Sequence, residues 1–380
     1  MVNQSTEEDV NGVLLEDEFE NIAVVGAGAW GTALAITAAS AGRRVRLWAR
    51  EPEVVSAIAA SGENATFLPQ RRVPSAVRAT VDLSEAVAEA DLVLLVVPSQ
   101  FLRDMAACVH SCLAVGVPVL ICAKGVERGT GKLMSDVVEE AMPGRPLAVL
   151  SGPTFAEEVA AGMPTAITVA SADANNGTSE NSLAARTALA LGTATFRPYV
   201  SDDVIGVEIG GAVKNVLAIA CGVATGLGFR SNTRAALITR GLEEMKSLAE
   251  ALGGRRETVT GLAGIGDLLL TCSSEQSRNM SFGLALGRGA SVAEILAGKA
   301  QVVEGVANAT SVTDLARRHG IEMPICEAVR AVLDGDISVA DALAALLGRP
   351  LRAEPKALDV ELPHPASSDE IEARVEALTR

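Results

Sequence analysis

Three sets of polar residues in the otherwise apolar second half of the chain could take part in catalysis or ligand binding. Lys214 and Asn215 lie among small and apolar residues, and Asp267 directly precedes an apolar helical segment. Ser277-Arg278-Asn279 places a guanidinium beside hydrogen-bonding groups, which suits a phosphate. Each also has an ordinary explanation, since a lone helical lysine usually extends into water and an aspartate before a helix usually caps it. Taken separately, none of the three decides a function.

A glycine-rich turn near the start of the chain is typical of dinucleotide binding. Gly26-Ala-Gly-Ala-Trp-Gly31 follows the apolar run 22–25 and precedes a predicted helix over 32–40. Gly26 permits the tight turn, Gly28 lets a pyrophosphate approach the backbone, and Gly31 stands where the fingerprint requires its third glycine. The helix amino terminus adds N–H groups and a positive dipole. We therefore expect a dinucleotide at this turn.

The end of the second predicted strand, 45–48, bears on the choice of cofactor. An acidic residue there would bind the ribose 2′-hydroxyl of NAD, but the strand is followed by Ala49 and Arg50. Arg50 could meet the 2′-phosphate of NADP. Alternatively, Arg50 is a solvated surface charge and Glu51 binds the ribose. NADP(H) is favoured, and NAD(H) stays open.

Apolar runs alternate with helical patterns from residue 22 to about residue 200, at 22–25, 45–48, 92–97, 117–122, 147–150 and 166–170. Continuous apolar runs are typical of strands buried on both faces of a parallel sheet. The pattern predicts an α/β fold, a Rossmann domain with a doubly wound, mainly parallel sheet. The segments after its strands, 98–99, 123–125 and 151–156, are expected to line the ligand crevice.

Long Ala/Leu-rich helical segments follow residue 201, so we expect a C-terminal all-helical domain. One helix is predicted over 233–252, capped by Asn232 or Thr233 and ended by Gly253-Gly254. Ser291-Val-Ala-Glu294 has the spacing of a capping box at the start of another helix.

Four segments are predicted along the chain: an acidic flexible extension over 1–20, a dinucleotide-binding domain over 21–203, a helical substrate-binding domain over 204–350, and a polar tail over 351–380. The last dozen residues favour a short helix. Residues 172–181 are interpreted as a surface loop.

Composition excludes several functional classes. A net charge of −15 argues against nucleic acid or an anionic membrane as a partner. No uninterrupted apolar run reaches the ~18 to 20 residues that a transmembrane helix needs, and the acidic first twenty residues lack the pattern of a secretory signal, so a cytoplasmic protein is expected. The six cysteines form no Cys-x-x-Cys pair and are interpreted as reduced core thiols. No metal site is predicted, although His110 lies between Cys108 and Cys112.

Taken together and in this order, these segments resemble the bacterial type of NAD(P)-dependent glycerol-3-phosphate dehydrogenase, over roughly residues 22–349. The strongest matches are Gly26-Ala-Gly-Ala-Trp-Gly31, Ala123-Lys-Gly125, Ser151-Gly-Pro-Thr-Phe-Ala156, Gly210-Gly-Ala-Val-Lys-Asn215, Gly264-Ile-Gly-Asp267, Gln276-Ser-Arg-Asn279 and Val302-Val-Glu-Gly305. One position departs from the family pattern, because Ala29 replaces the serine common in the glycine loop. Both chain ends lie outside the resemblance.

The resemblance implies a shared site for a dinucleotide and a small phosphorylated substrate. Contacts with the dinucleotide are implied for Ala29, Trp30, Arg50, Lys124, Ala156, Arg278, Val302 and Glu304. Contacts with the substrate are implied for Lys124, Gly152, Thr154, Lys214, Asp267, Ser277, Arg278 and Asn279.

The implied activity is reversible reduction of dihydroxyacetone phosphate by NAD(P)H to sn-glycerol 3-phosphate, which supplies glycerophospholipid synthesis. Such a reduction needs a proton donor, and Lys214 is the predicted general acid/base because burial lowers a lysine pKa toward the working range. Asp267 is expected to orient Lys214 or bind a substrate hydroxyl. Arg278, with Ser277 and Asn279, is expected to anchor the phosphate, and no metal is required.

Two alternatives remain open. A 2-hydroxyacid or ketopantoate-reducing enzyme would share the two-domain plan and a lysine, but residues 277–279 suit a phosphate better. A dinucleotide-binding regulator without turnover would be expected to lack Lys214 or Asp267, and both are present. A homodimer is compatible with the Ala/Leu-rich helices, whose apolar faces are equally explained by the domain's own core.

Overall fold

The computed structural model of the chain describes residues 19–175, 181–297, 303–352 and 361–379. Most of the predicted acidic extension and the implied cofactor contact Val302 lie outside these residues. Phe19 is buried, and the Arg186 guanidinium lies 4.4 Å from the centroid of its ring.

A mainly parallel sheet forms the centre of the first domain. The strands of the chain's first half are β1 (Asn21–Val25), β2 (Arg44–Trp48), a small hairpin of β3 (Glu63–Asn64) and β4 (Leu68–Arg72), β5 (Val77–Thr80), β6 (Leu92–Leu95), β7 (Val119–Ile121), β8 (Leu147–Ser151), β9 (Thr165–Ala170) and β10 (Phe196–Ser201). Eight of them form one sheet in the order β10-β9-β8-β7-β6-β1-β2-β5. All neighbours in it pair in parallel except β8 and β9, which are antiparallel. The predicted Rossmann sheet is confirmed.

Helices cover both faces of this sheet. They are α1 (Ala29–Ser40), α2 (Pro52–Ser61), α3 (Leu83–Val87), α4 (Leu102–Cys112), α5 (Met134–Ala141), α6 (Ala156–Ala160) and α7 (Leu183–Leu191). Successive side chains of β1 enter opposite cores, since Val24 packs with α1 while Val25 packs with α4 and α5. This two-sided burial explains why the central strands are continuously apolar.

The second domain is helical. Its elements are α8 (Val204–Gly226), α9 (Ser231–Ala251), α10 (Arg256–Val259), a π-helical turn (Leu262–Gly266), α11 (Asp267–Ser273), α12 (Arg278–Gly287), α13 (Val292–Ala297), α14 (Glu304–Arg318), α15 (Pro324–Asp334) and α16 (Val339–Leu347). Helix α8 packs against α9, α11, α12 and α14. It is long and apolar enough to cross a membrane, but 83% of its most apolar window is buried inside the fold. It is therefore the core helix of this domain.

Local details of the helical domain correct one expectation and confirm another. The N-cap of α9 is Arg230, without a side-chain cap, so the predicted caps Asn232 and Thr233 are wrong and lie inside the first turn. The capping box at Ser291 is confirmed, because its hydroxyl and backbone N–H both contact the Glu294 carboxylate.

The end of the chain forms a short strand pair and a helix. Strands β11 (Leu351–Arg352) and β12 (Glu361–Leu362) pair, and the predicted terminal helix is α17 (Ser368–Thr379), which packs on α16. In the predicted loop 172–181, residues 172–175 form a 3₁₀ turn and 176–180 lie outside the described residues.

All six cysteines are free, and four are buried, but Cys108 is exposed and Cys112 half-buried. The interpretation as core thiols therefore holds for four of the six cysteines and is wrong for Cys108 and Cys112, which α4 turns outward.

Candidate active site

The glycine-rich turn joins β1 to α1 at the carboxyl edge of the sheet. Gly26 has φ +116°, and a Cβ there would lie 2.4 Å from the Val96 carbonyl oxygen. A Cβ at Gly31 would lie 1.8 Å from the carbonyl oxygen of Gly26, so α1 can approach the turn only with glycine at this position. Around Gly28 a Cβ would meet nothing within 4 Å. The backbone is therefore open at Gly28, where the fingerprint places the pyrophosphate.

Residues predicted to contact the cofactor lie at the start of α1 and after β2. Ala29 and Trp30 begin α1 and are half-buried, and the Trp30 indole N–H is enclosed without a hydrogen-bond partner in the described part of the chain. Arg50 follows β2 with its side chain 79% exposed, and its guanidinium pairs with the Glu51 carboxylate at 2.7 Å. The two candidates for the cofactor ribose are thus neighbours of opposite charge.

Lys124 extends from the loop after β7 toward the helical domain. Its Nζ donates to the Gly152 carbonyl oxygen at 3.1 Å and to Asp267 Oδ2 at 2.7 Å. The Thr154 hydroxyl donates to the same Gly152 carbonyl at 3.2 Å, and Ala156 begins α6 beyond it. The loops after β7 and β8 therefore meet at one edge, as predicted.

Lys214 extends from α8 to the other oxygen of the same carboxylate. Its Nζ donates to Asp267 Oδ1 at 2.6 Å and to the Thr271 hydroxyl at 3.0 Å. Lys214 is 7% exposed and Asp267 fully buried. Two ammonium groups, one from each domain, thus share one buried carboxylate. Sequence reasoning missed Thr271, although its place one helical turn after Asp267 put it on the same face of α11.

Small residues allow this approach. A Cβ at Gly210 would lie 2.4 Å from the Ala263 carbonyl oxygen, so α8 packs directly on the π-helical turn that precedes Asp267. The turn directs Asp267 inward as the first residue of α11, with Gly266 as the N-cap. The ordinary explanations of these two residues are therefore wrong, because Asp267 is no cap and Lys214 does not reach water.

Burial determines the electrostatics of the cluster. Desolvation lowers the pKa of Lys214, the Asp267 carboxylate opposes that shift and the nearby Lys124 ammonium adds to it, so that the pKa is about 8. Two cations around one carboxylate leave a local excess of positive charge. This arrangement favours an anionic ligand and a lysine that can exchange a proton near neutral pH.

A second cluster lies beside Lys214 on α8, α12 and α14. Asn279 Nδ2 donates to Asn215 Oδ1 at 2.9 Å, and the Gly305 N–H donates to Asn279 Oδ1 at 2.9 Å. The Ser277 hydroxyl oxygen accepts the Met280 N–H and caps α12. Ser277 and Asn279 thus also stabilise the local fold, a role that the sequence analysis did not assign to them.

Arg278 and Glu304 bring charge to this second cluster. Arg278 is the first residue of α12 and is exposed. Burial raises the pKa of the Glu304 carboxyl, while the charges of Arg278, Lys214 and Lys124 oppose that rise. Arg278 and both lysines therefore act electrostatically on the same carboxyl group.

Comparisons with protein families agree with this geometry. The model described as the NAD-dependent glycerol-3-phosphate dehydrogenase N-terminus matches residues 21–177, and the model of the C-terminus of the same enzymes matches residues 203–344. The chain belongs to the NAD-dependent glycerol-3-phosphate dehydrogenase family. Membership decides against the ketopantoate-reducing alternative.

Individual relatives cover nearly the whole family region. A glycerol-3-phosphate dehydrogenase of Rhodospirillum rubrum, named for NAD(P)+, is 55% identical over 88% of this chain and 94% of its own length. The Caulobacter vibrioides enzyme of the same name is 54% identical, over 88% and 99%. The crystal structure of glycerol-3-phosphate dehydrogenase from Coxiella burnetii superposes with a TM-score of 0.81 at 42% identity, covering 87% of this chain and 99% of that one.

Proposed function

We propose that this chain is an NAD(P)H-dependent oxidoreductase that reduces dihydroxyacetone phosphate to sn-glycerol 3-phosphate and catalyses the reverse reaction. The observation that carries the proposal is the buried Lys124–Asp267–Lys214 cluster at the sheet edge that also holds the glycine-rich turn. An anionic substrate placed there would meet two cations, Lys124 and Lys214, and the second of these could also donate a proton to it. The names and extent of the relatives support the same reaction.

The residues at the turn fit a dinucleotide. The open space at Gly28, the helix amino terminus of α1 and the enclosed, unpartnered Trp30 indole N–H are the features that support this fit. Lys124, Ala156, Arg278 and Glu304 would complete the contacts toward the nicotinamide end, together with Val302. When bound, the reduced cofactor supplies the hydride that the carbonyl carbon receives.

Lys214 is the residue that we expect to move the proton. As the carbonyl carbon accepts hydride, the oxygen becomes an alkoxide, and the Lys214 ammonium donates a proton to it. In the reverse direction the neutral amine accepts the hydroxyl proton. Asp267 holds both ammonium groups, and Thr271 fixes the direction of the Lys214 Nζ. Arg278 anchors the phosphate, which keeps the carbonyl in register.

The decisive experiment is a substrate comparison. Purified protein is assayed for NADPH and NADH oxidation with dihydroxyacetone phosphate, a ketopantoate-type acid and a glyoxylate-type acid. The proposal expects turnover with dihydroxyacetone phosphate at a kcat/KM at least about a hundredfold above the others. Absence of turnover with all three would support the regulator instead.

The pH dependence of the reaction follows from the lowered pKa of Lys214. Reduction needs the ammonium form, so its single-turnover rate should fall by about tenfold for each unit above pH 8. Oxidation of sn-glycerol 3-phosphate needs the amine, so its rate should rise by about tenfold per unit below pH 8 and reach a plateau above it. Stopped-flow measurements between pH 6.5 and 9.5 in both directions test this. Parallel profiles in the two directions would contradict Lys214 as the shared acid and base.

NADP(H) preference is the second part of the proposal, and Arg50 tests it. Arg50→Ala should weaken NADPH binding by roughly tenfold, because an adenosine 2′-phosphate in the groove would lose its charge-assisted partner. NADH binding should change by less than about twofold. Dissociation constants from fluorescence titration provide the measurement.

Arg44 provides the matched control for Arg50. It is the first residue of the same strand, β2, and so lies at the end of the strand away from Arg50. Its side chain is 70% exposed and also pairs with a glutamate, Glu20. Arg44→Ala should leave both cofactors unaffected. Equal weakening of NADPH and NADH by Arg50→Ala would remove the 2′-phosphate role and leave Glu51 as the ribose contact.

The remaining parts of the proposal are the cellular location, the metabolic role and the oligomeric state. We propose a cytoplasmic enzyme that provides sn-glycerol 3-phosphate for glycerophospholipid synthesis, and the similarity to the relatives supports that role. A homodimer stays a prediction. Among the described residues, no group of three or more His, Cys, Asp or Glu side chains could hold a metal ion.

A further inference from the structure

The chain that follows Lys124 forms a tight hairpin, the Lys124 hairpin (residues 125–133), which leads into α5. Val126 and Leu133 pair across it, and the Glu127 N–H donates to the Lys132 carbonyl oxygen at 2.9 Å. On the side of the first domain, Arg103 on α4 holds Glu127 through two bonds of 2.8 and 2.9 Å. A displacement of this hairpin would therefore move Lys124 at its base.

Through Glu208, the helical domain holds the first turn of α5, which directly follows this hairpin. One carboxylate oxygen of Glu208 accepts the Ser135 N–H at 2.8 Å, and the other accepts the Ser135 hydroxyl at 2.6 Å. Glu208 is 4% exposed. Burial of a carboxyl group costs free energy unless hydrogen bonds replace those that it loses to water. Both of the bonds that do so for Glu208 join the two domains.

Two further contacts fix the same hairpin from the helical domain. Arg318 on α14 donates to the Gly129 carbonyl oxygen at 3.2 Å and to the Thr130 carbonyl oxygen. At the base, a Cβ on Gly125 would lie 2.8 Å from Oδ1 of the fully buried Asn308. The helical domain therefore contacts the base and the tip of the hairpin and the start of the helix that follows it.

Helix α8 carries both Glu208 and Lys214, six residues apart. The element that places the Lys214 ammonium on Asp267 thus also holds the segment that begins with Lys124. We propose that Glu208 is a positioning residue, which fixes the Lys124 hairpin to α8 and so sets the two lysines around Asp267. The proposal deepens the function proposed above and rests on it for its kinetic consequence.

The kinetic test replaces Glu208. Glu208→Ala should lower kcat for dihydroxyacetone phosphate reduction by about tenfold to a hundredfold, because displacement of a catalytic group by about 1 Å costs that much. The dissociation constant for NADPH should change by less than about threefold, since the glycine-rich turn is untouched. Glu208→Gln should retain kcat within about threefold. Its amide oxygen still accepts a bond from Ser135, and burial already raises the pKa of Glu208 to about 7, so a neutral side chain is tolerated.

Glu244 on α9 is a closely matched control. Its two oxygens accept the Ile325 and Cys326 N–H groups at 2.7 and 3.2 Å, it is 6% exposed, and burial likewise raises its pKa to about 7. It joins two helices within the helical domain only. Glu244→Ala should reduce the urea midpoint as much as Glu208→Ala but keep kcat within about threefold. Equal losses of kcat in the two variants would overturn the positioning role.

Hydrogen–deuterium exchange tests the same role without turnover. In Glu208→Ala the amides of 126–135 should exchange at least about tenfold faster than in wild type, whereas Glu244→Ala should leave them unchanged. Unaltered exchange at 126–135 in Glu208→Ala would overturn the proposal even if kcat fell. If wild-type protein did not reduce dihydroxyacetone phosphate, the proposed function would fail, and this exchange comparison would still decide whether Glu208 holds the hairpin.

Discussion

Lys214→Ala is expected to lower kcat for dihydroxyacetone phosphate reduction by at least about a hundredfold, the usual scale of a general acid. The ammonium donates to Asp267 at 2.6 Å inside the fold, so no water can easily replace it as proton donor. The dissociation constant for NADPH should stay nearly unchanged, because the glycine-rich turn lies on the other domain. Steady-state kinetics together with a direct binding titration provide the measurement.

Two further variants separate chemistry from folding. Lys214→Met keeps most of the side-chain volume next to α11 and should be as inactive as Lys214→Ala. Lys246→Ala removes a half-buried lysine, which pairs with Glu243 on α9, and should leave kcat unchanged. Lys124 still offers Asp267 one cation in either Lys214 variant, so the buried carboxylate keeps a partner.

A small amine provides a positive test of the same role. Ethylammonium at tens of millimolar should restore part of the activity of Lys214→Ala by entering the space that the side chain leaves. In the reduction direction, the restored rate should increase with the concentration of the protonated amine. Normal turnover by Lys214→Ala without any amine would show that another group donates the proton.

The central strands could be predicted from the sequence because burial on both faces leaves a continuous apolar run. The four residues of β6, Leu92–Leu95, are all fully buried. The edge strands β5 and β10 were missed for the corresponding reason, since only the first residue of each is buried and β10 contains a proline. The antiparallel pairing of β8 with β9 likewise depends on chain direction in space, which periodicity does not encode.

The candidate site divides in the same way. Its backbone part, the glycine-rich turn, was predicted because steric demands at Gly26 and Gly31 leave a mark in the local sequence. The Lys124–Asp267 contact joins residues 143 positions apart and therefore has no local signal. Family resemblance indicated that both residues belong to one site, but not that Asp267 would bridge two lysines. The structural role of Asn279 was hidden because its partners Asn215 and Gly305 lie far along the chain. Ser277, in contrast, caps α12 through the Met280 N–H three residues on, which is a local signal that the sequence analysis did not use.

Arg278→Ala is expected to lower kcat/KM for dihydroxyacetone phosphate by at least about a hundredfold at saturating NADPH. A phosphate is remote from the reacting carbonyl, and its binding energy serves both affinity and alignment, so losing its anchor reduces both. Activity toward unphosphorylated dihydroxyacetone, which has no phosphate to anchor, should change by less than about threefold. The NADPH dissociation constant of the variant, measured separately, sets the saturating concentration.

Arg288 at the opposite end of α12 is the matched control for Arg278. It is exposed, it is the C-cap of the same helix, and Arg288→Ala should leave both substrates unaffected. The discriminating quantity is the ratio of kcat/KM for the two substrates, because a general loss of folding or of cofactor binding lowers both values and keeps their ratio. If Arg278→Ala lowered both by the same factor, Arg278 would be a cofactor or structural residue. The phosphate pocket would then have to lie around Lys124 and Thr154, where the Gly152 carbonyl already receives a hydrogen bond from each side chain.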